Sequence, residues 1–140
     1  MLSKWLYEGQ YVDVLDPTWY GFVYCITHIP TGRAYIGKKL LWFKGHKQVK
    51  GKKKKILKES DWRTYCGSST ELQGDVEKFG QAEFRFEVLR FCTTKGECSY
   101  HEAKQQFAND VLYHPTLFYN AYIGCRIHRS HLKLGSTTKK

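Results

Sequence analysis

Residues 21–37, GFVYCITHIPTGRAYIG, read as a β-hairpin, and the rest of the chain is arranged around it. From Phe22 to His28, large apolar residues alternate with small or polar ones in a β-branched and aromatic background, the pattern of a half-buried strand. Pro30 presets a turn φ and Gly32 tolerates positive φ, so IPTG closes a short loop before Ala34 to Gly37 pairs back. With His28 opposite Arg33, Ile26 faces Tyr35 and Tyr24 faces Gly37. That register puts both tyrosines on one face with a gap beside Tyr24, room for a water or a phosphate oxygen. Tyrosines taken alone are more often ordinary strand aromatics, so the rest of the chain has to supply the difference.

With 140 residues there is room for one core. The formal charge of +10, 23 Lys and Arg against 13 acids, points to a polyanionic partner, nucleic acid first. A membrane surface is the rival, but the basic residues gather in a segment with little apolar content, unlike an amphipathic membrane helix. Neither a secretory leader nor a transmembrane span is recognisable, so an intracellular protein is expected, in the cytoplasm of a bacterial or phage-infected cell. In that compartment Cys25, Cys66, Cys92, Cys98 and Cys125 read as reduced thiols.

Residues 1–19 mix aromatic and aliphatic residues without a clean period, a short packing extension broken by Pro17. After Gly37 the strand is expected to run through Lys38, Lys39 and Leu40 to Phe43. Residues 44–58, KGHKQVKGKKKKILK, then hold eight lysines and almost nothing to bury, which predicts a mobile basic insertion. Lys39, Lys47, Lys50, Lys52, Lys53, Lys54 and Lys55 are the candidate phosphate-tracking residues, since each neutralised phosphate releases counterions without regard to sequence. The alternative is a solvated charged loop. Ser60 caps a helical turn through Tyr65 that Gly67 stops. Ser68 and Glu71 have capping-box spacing ahead of Leu72, Val76 and Phe79, and Gly80 ends that helix. Residues 83–92, EFRFEVLRFC, read as a third strand. Thr94 and Glu97 cap a second helix running to Leu112, with Tyr100, Ala103, Phe107 and Val111 along its apolar face. Residues 117–127 form an apolar closing segment, and 128–140 a basic, fraying tail. The second Tyr-Ile-Gly, at 122–124, lacks a preceding hairpin and reads as a chance repeat.

Taken in order, the tyrosine hairpin, the basic insertion, Arg63, the capped helix, the third strand, the helix with Glu102 and the Tyr119-Asn120 pair resemble the GIY-YIG nuclease domain over residues 20–127. The stretch SSTELQGDVEKFGQAEFRFEVL is similar to phage members, the Seg-type homing endonucleases in particular. The resemblance implies an α+β fold with a small three-stranded antiparallel sheet flanked by helices. It implies a metal-dependent DNA endonuclease, with one Mg2+ or Mn2+ per site on Glu102 and with duplex or branched DNA as partner. Tyr24 then corresponds to the phenol that activates or positions the attacking water, and Tyr35 to its partner. Arg63 corresponds to the arginine facing the scissile phosphate, Asn120 to a bracing amide, and Lys38 to a lysine that some members carry.

The chemistry is coherent on physical grounds. Phosphodiester cleavage needs an in-line water, charge neutralisation on the phosphate and help for the departing oxygen; a metal on one carboxylate, a guanidinium fork and a nearby lysine serve those needs. A phenol is a base only if cations depress its pKa, so Tyr24 either acts as general base or orients a water. Phe22 stands in place of the usual glycine two residues before the tyrosine. Gly67 stands where a histidine often follows the arginine, with His46 as a substitute. Two alternatives remain from the sequence: a non-catalytic nucleic-acid binder on the same fold, and a zinc module using Cys92, Cys98 and His101 with His114 or Cys125. With no attached recognition domain, modest sequence preference is expected, and nicking unless two copies dimerise on DNA.

Overall fold

The computed structural model describes residues 3–49 and 51–132, and excludes the side chains of 44–49 and 52–57. Lys50 and the tail from residue 133 onward, both named above, lie outside the described residues. The hairpin forms as the sequence dictates: β3 (Gly21–His28) pairs antiparallel with β4 (Ala34–Leu40), with Tyr24 opposite Gly37 and Ile26 opposite Tyr35. Gly32, at φ +75°, lets the turn close.

The sheet around the hairpin is larger than the three antiparallel strands expected. β1 (Trp5–Tyr7) runs parallel to β7 (Phe84–Cys92), and β2 (Gln10–Tyr11) returns against β1, so the order is β2-β1-β7-β3-β4 in a mixed five-stranded sheet. The physical reason is Trp5, which is fully buried and packs edge-on against Phe22, Tyr24 and Phe86 with ring centroids 5.0–5.3 Å apart. Its indole nitrogen donates to the Trp62 carbonyl at 2.8 Å. Within the extension read at residues 1–19, Trp5–Tyr7 and Gln10–Tyr11 are therefore sheet, and Trp5 and Val12 belong to the core.

β3 is buried on both faces in its first half rather than half-buried. Phe22, Tyr24 and Ile26 face a cluster with Trp62, Leu72 and Val76; Val23 faces Ile36, Cys92, Cys98 and Val111. Helix α1 (Thr70–Phe79) covers the first face, and α2 (Lys95–Ala108) packs across β3 and β4 on the other. A bulge in β7 shifts its register against β3 between Val23 and Tyr24, beside the first tyrosine.

The boundaries also move. β4 ends at Leu40, and after Leu41 a separate strand β5 (Trp42–Val49) pairs with β6 (Lys52–Glu59). The backbone of the basic insertion, expected to be mobile, forms a two-stranded ribbon in which strand pairing satisfies its polar groups. Ser60 does not cap a turn; its hydroxyl donates to the Leu40 carbonyl at 2.6 Å and ties the ribbon's base to the sheet. The cap of α1 is Ser69, which accepts from the Leu72 amide, and Ser68 takes no part in the cap. Helix α2 ends at Ala108, and a 3₁₀ turn at Val111–Tyr113 follows. Tyr100 and Phe107, placed on its apolar face by periodicity, are 41% and 64% exposed, while Cys98, Ala103 and Gln106 are buried. The buried face carries polar residues because it meets the site described next.

Candidate active site

Where β4 and α2 meet the loop before α1, a cleft of about 570 Å³ opens; Tyr35, Lys38, Tyr65, Ser68, Glu102 and Tyr122 are among its lining residues. Tyr35 stands on β4, and its hydroxyl is 2.8 Å from Ser68 Oγ. Three residues on, Lys38 Nζ donates to Ser99 Oγ at 2.9 Å and lies 3.5 Å from Glu102 Oε1. Glu102 and Gln106 follow Cys98 at helical spacing, so all three lie along the side of α2 that faces the sheet. Burial raises the Glu102 pKa, and the Lys38 ammonium pulls it back.

Tyr24 is fully buried and lies beneath this cleft rather than lining it. Its ring is 6.2 Å from that of Tyr35 and 5.9 Å from that of Tyr65, and its hydroxyl has no hydrogen-bond partner among the described residues. Burial, reinforced by the Tyr65 and Tyr35 phenols, pushes its pKa well above the usual tyrosine value. The glycine of Tyr-Ile-Gly explains how two phenols fit here: a Cβ on Gly37 would come within 2.5 Å of the Tyr24 hydroxyl and 2.9 Å of the Tyr35 ring. Tyr35 is also raised by burial, with the Ser68 hydrogen bond acting in the opposite direction. Neither phenol is ionised near neutral pH.

Asn120 is buried and works as a clamp. Its Oδ1 accepts from the Ile36 amide at 3.1 Å, and its Nδ2 donates to the Ile36 carbonyl at 2.8 Å, where Gln106 Nε2 also donates at 2.9 Å. Both backbone bonds of Ile36 belong to the outer edge of β4, since β4 ends the sheet. Residues 117–119 cover the start of that edge through Ala34, and the Asn120 amide extends the cover by mimicking one more strand residue. The pitch of Tyr35 and Gly37, on either side of Ile36, is fixed in this way.

Arg63 does not line the cleft. Its Nε donates to Glu59 Oε1 at 2.9 Å, its Nη2 to the Asp13 carbonyl, and its guanidinium stacks 4.5 Å over Trp62. Lys39 is also engaged, with Nζ 2.6 Å from Asp61 Oδ1 and 4.2 Å from the Tyr65 ring centroid. The side chains of His46, Lys47 and Lys52 to Lys55 lie outside the described residues, although their backbone belongs to the ribbon.

Tyr65, Ser68, Gln106 and Tyr122 line the cleft but were not among the site residues expected from sequence. Ser68 carried a readable signal: of two adjacent serines ahead of a helix only one caps, which frees the other. Tyr122 and Gly124, read as a chance repeat, belong to the cleft lining.

Among the described residues no three His, Cys, Asp or Glu side chains stand close enough to hold an ion, which removes support for the zinc reading. Among the described residues Glu102 is the one carboxylate lining the cleft. A single carboxylate beside an open cleft suits Mg2+, which keeps several waters and takes further oxygens from a phosphate, so the donor set fits a metal completed by substrate.

A comparison with curated proteins and with solved structures returns no match. Residues 5–123 do match the family model described as "Putative endonuclease segE, GIY-YIG domain", a span that begins at the buried Trp5 and ends beside the cleft residue Gly124. The chain belongs to the SegE-type GIY-YIG endonuclease domain family.

Proposed function

We propose that this chain is a metal-dependent DNA endonuclease whose reaction centre is the Tyr35–Lys38–Glu102 cleft. The observation that carries the reading is the convergence of a phenol, an ammonium and a half-buried carboxylate on one cleft, above a buried phenol with no partner. Lys38 neutralises charge on the phosphate, in the role that the family resemblance implied for Arg63. Tyr35, held by Ser68, orients the attacking water. Tyr24 stays a neutral donor beneath it, and Asn120 with Gln106 holds β4 so that these groups keep their spacing. A divalent cation on Glu102 supplies Lewis acidity at the phosphate and lowers the pKa of its water when bound.

Supercoiled plasmid incubated with and without Mg2+ tests the reading. Wild type nicks or linearises the plasmid only with the ion, and Glu102→Ala loses about 10³-fold or more. Unchanged DNA binding with no cleavage by wild type would favour the non-catalytic binder. In metal-free protein the Glu102 carboxyl is expected to titrate above the ordinary carboxylate range, because burial raises its pKa and the Lys38 ammonium offsets this in part. Lys38→Met removes the cation that opposes this rise, so the Glu102 titration followed by NMR in EDTA moves to still higher pH. A titration that stays put would detach Lys38 from Glu102.

A further inference from the structure

The ribbon's register separates its basic residues in an unexpected way. Residues directly opposite in an antiparallel pair share a face. One face therefore carries Lys44, His46, Lys53 and Lys55, and the other Lys47, Lys52, Lys54 and Lys58. A strand meant to lie flat on a phosphate backbone needs cations on one face only. This ribbon is cationic on both, and Lys47 stands directly opposite Lys54, a like-charge pairing that costs stability unless an anion relieves it.

We infer that the β5–β6 ribbon inserts into the major groove of B-form duplex DNA, with a phosphate wall beside each basic face. This deepens the endonuclease reading and rests on it for the nature of the partner. The dimensions agree: strands of eight residues extend roughly 26 Å at about 3.3 Å per residue, and a major groove about 12 Å wide admits a two-stranded ribbon where a minor groove of about 6 Å does not. The deep, narrow major groove of A-form RNA excludes it too. Placement agrees as well. The ribbon leaves the sheet at Leu41, three residues after Lys38, and returns through Ser60 into the turn carrying Tyr65 and Ser68. Its base is anchored where Trp42 Nε1 donates to the Trp19 carbonyl at 2.9 Å and the Ser60 amide to the Leu41 carbonyl at 2.8 Å. A seated ribbon thus holds DNA across the cleft.

The test measures binding in EDTA, so that its outcome does not depend on cleavage. Two full-chain variants, Lys44→Ala/Lys53→Ala/Lys55→Ala and Lys47→Ala/Lys52→Ala/Lys54→Ala, each empty one face, and circular dichroism checks that the fold is kept. On a 20-base-pair DNA duplex, each variant is expected to lower the slope of log affinity against log salt by about two to three. Wild type should protect guanine N7 from methylation, both variants should lose that protection, and wild type should bind the matching RNA duplex at least tenfold more weakly. A loss confined to one face would overturn the proposal in favour of flat docking. Equal affinity for RNA, or no N7 protection, would overturn the groove itself.

Discussion

The β3–β4 hairpin at the centre of the main sheet and the β5–β6 ribbon are both antiparallel hairpins in one chain, yet they are built on opposite terms. On the core face of the sheet, apolar side chains meet one another: Ile26 lies between Tyr35 and Phe86, and the Trp5 indole packs edge-on against both Phe22 and Phe86. In the ribbon, Lys47 faces Lys54, and Gln48 and Val49 face further lysines. Backbone pairing draws the second hairpin, whereas burial makes the first one hold. The difference teaches that strand formation and stability separate in this molecule, and that the ribbon keeps a charge pattern that folding by itself disfavours.

The sharpest break of that contrast is Trp5→Ala, which empties a fully buried indole site and orphans the Trp62 carbonyl; it is expected to cost about 3–5 kcal/mol in chemical denaturation. A midpoint near wild type would mean that β1 is an accessory strand after all. Next comes Tyr24→Phe, where stability and activity part company. Removing a buried hydroxyl with no partner relieves roughly 1–3 kcal/mol of desolvation, so melting temperature rises, while plasmid cleavage falls about 10²-fold. Cleavage at the wild-type rate would leave the phenol without a role. Asn120→Ala strips both side-chain bonds from Ile36 and is expected to cost about 1–3 kcal/mol, less at the carbonyl, which keeps Gln106. Smallest is Lys47→Glu, which converts a like-charge pair with Lys54 into an opposite one: thermal stability changes by under about 1 kcal/mol, in the stabilising direction, while duplex affinity drops. If that substitution strengthens DNA binding, the ribbon is not a phosphate contact.

The hairpin register was legible because a side-chain period of two and one turn leave little choice for seventeen residues. Both helices were legible from their caps, although the sequence reading put the first cap at Ser68 and the hydroxyl that reaches the Leu72 amide is that of Ser69. The exposed face of α2 was misread for a reason that concerns the site: Tyr100 and Phe107 fit the period, but Glu102 and Gln106 are required at the sheet, so polar residues hold the inner face. Arg63 was placed by sequence order alone. Order does not reveal that Glu59 and Asp13 hold its guanidinium, because Asp13 lies fifty residues away along the chain.

By itself, then, the sequence determined the tyrosine hairpin, the two capped helices, the third strand and the concentration of positive charge, all of which follow from local period, turn chemistry and composition. Only the tertiary structure decided that the N-terminal segment completes the sheet, that Gly37 makes room for two phenols, and that Asn120 seals a strand edge. It also decided that Lys38 rather than Arg63 stands beside Glu102. These depend on contacts between residues far apart in the chain, where burial and close packing select one arrangement among many that local propensity allows.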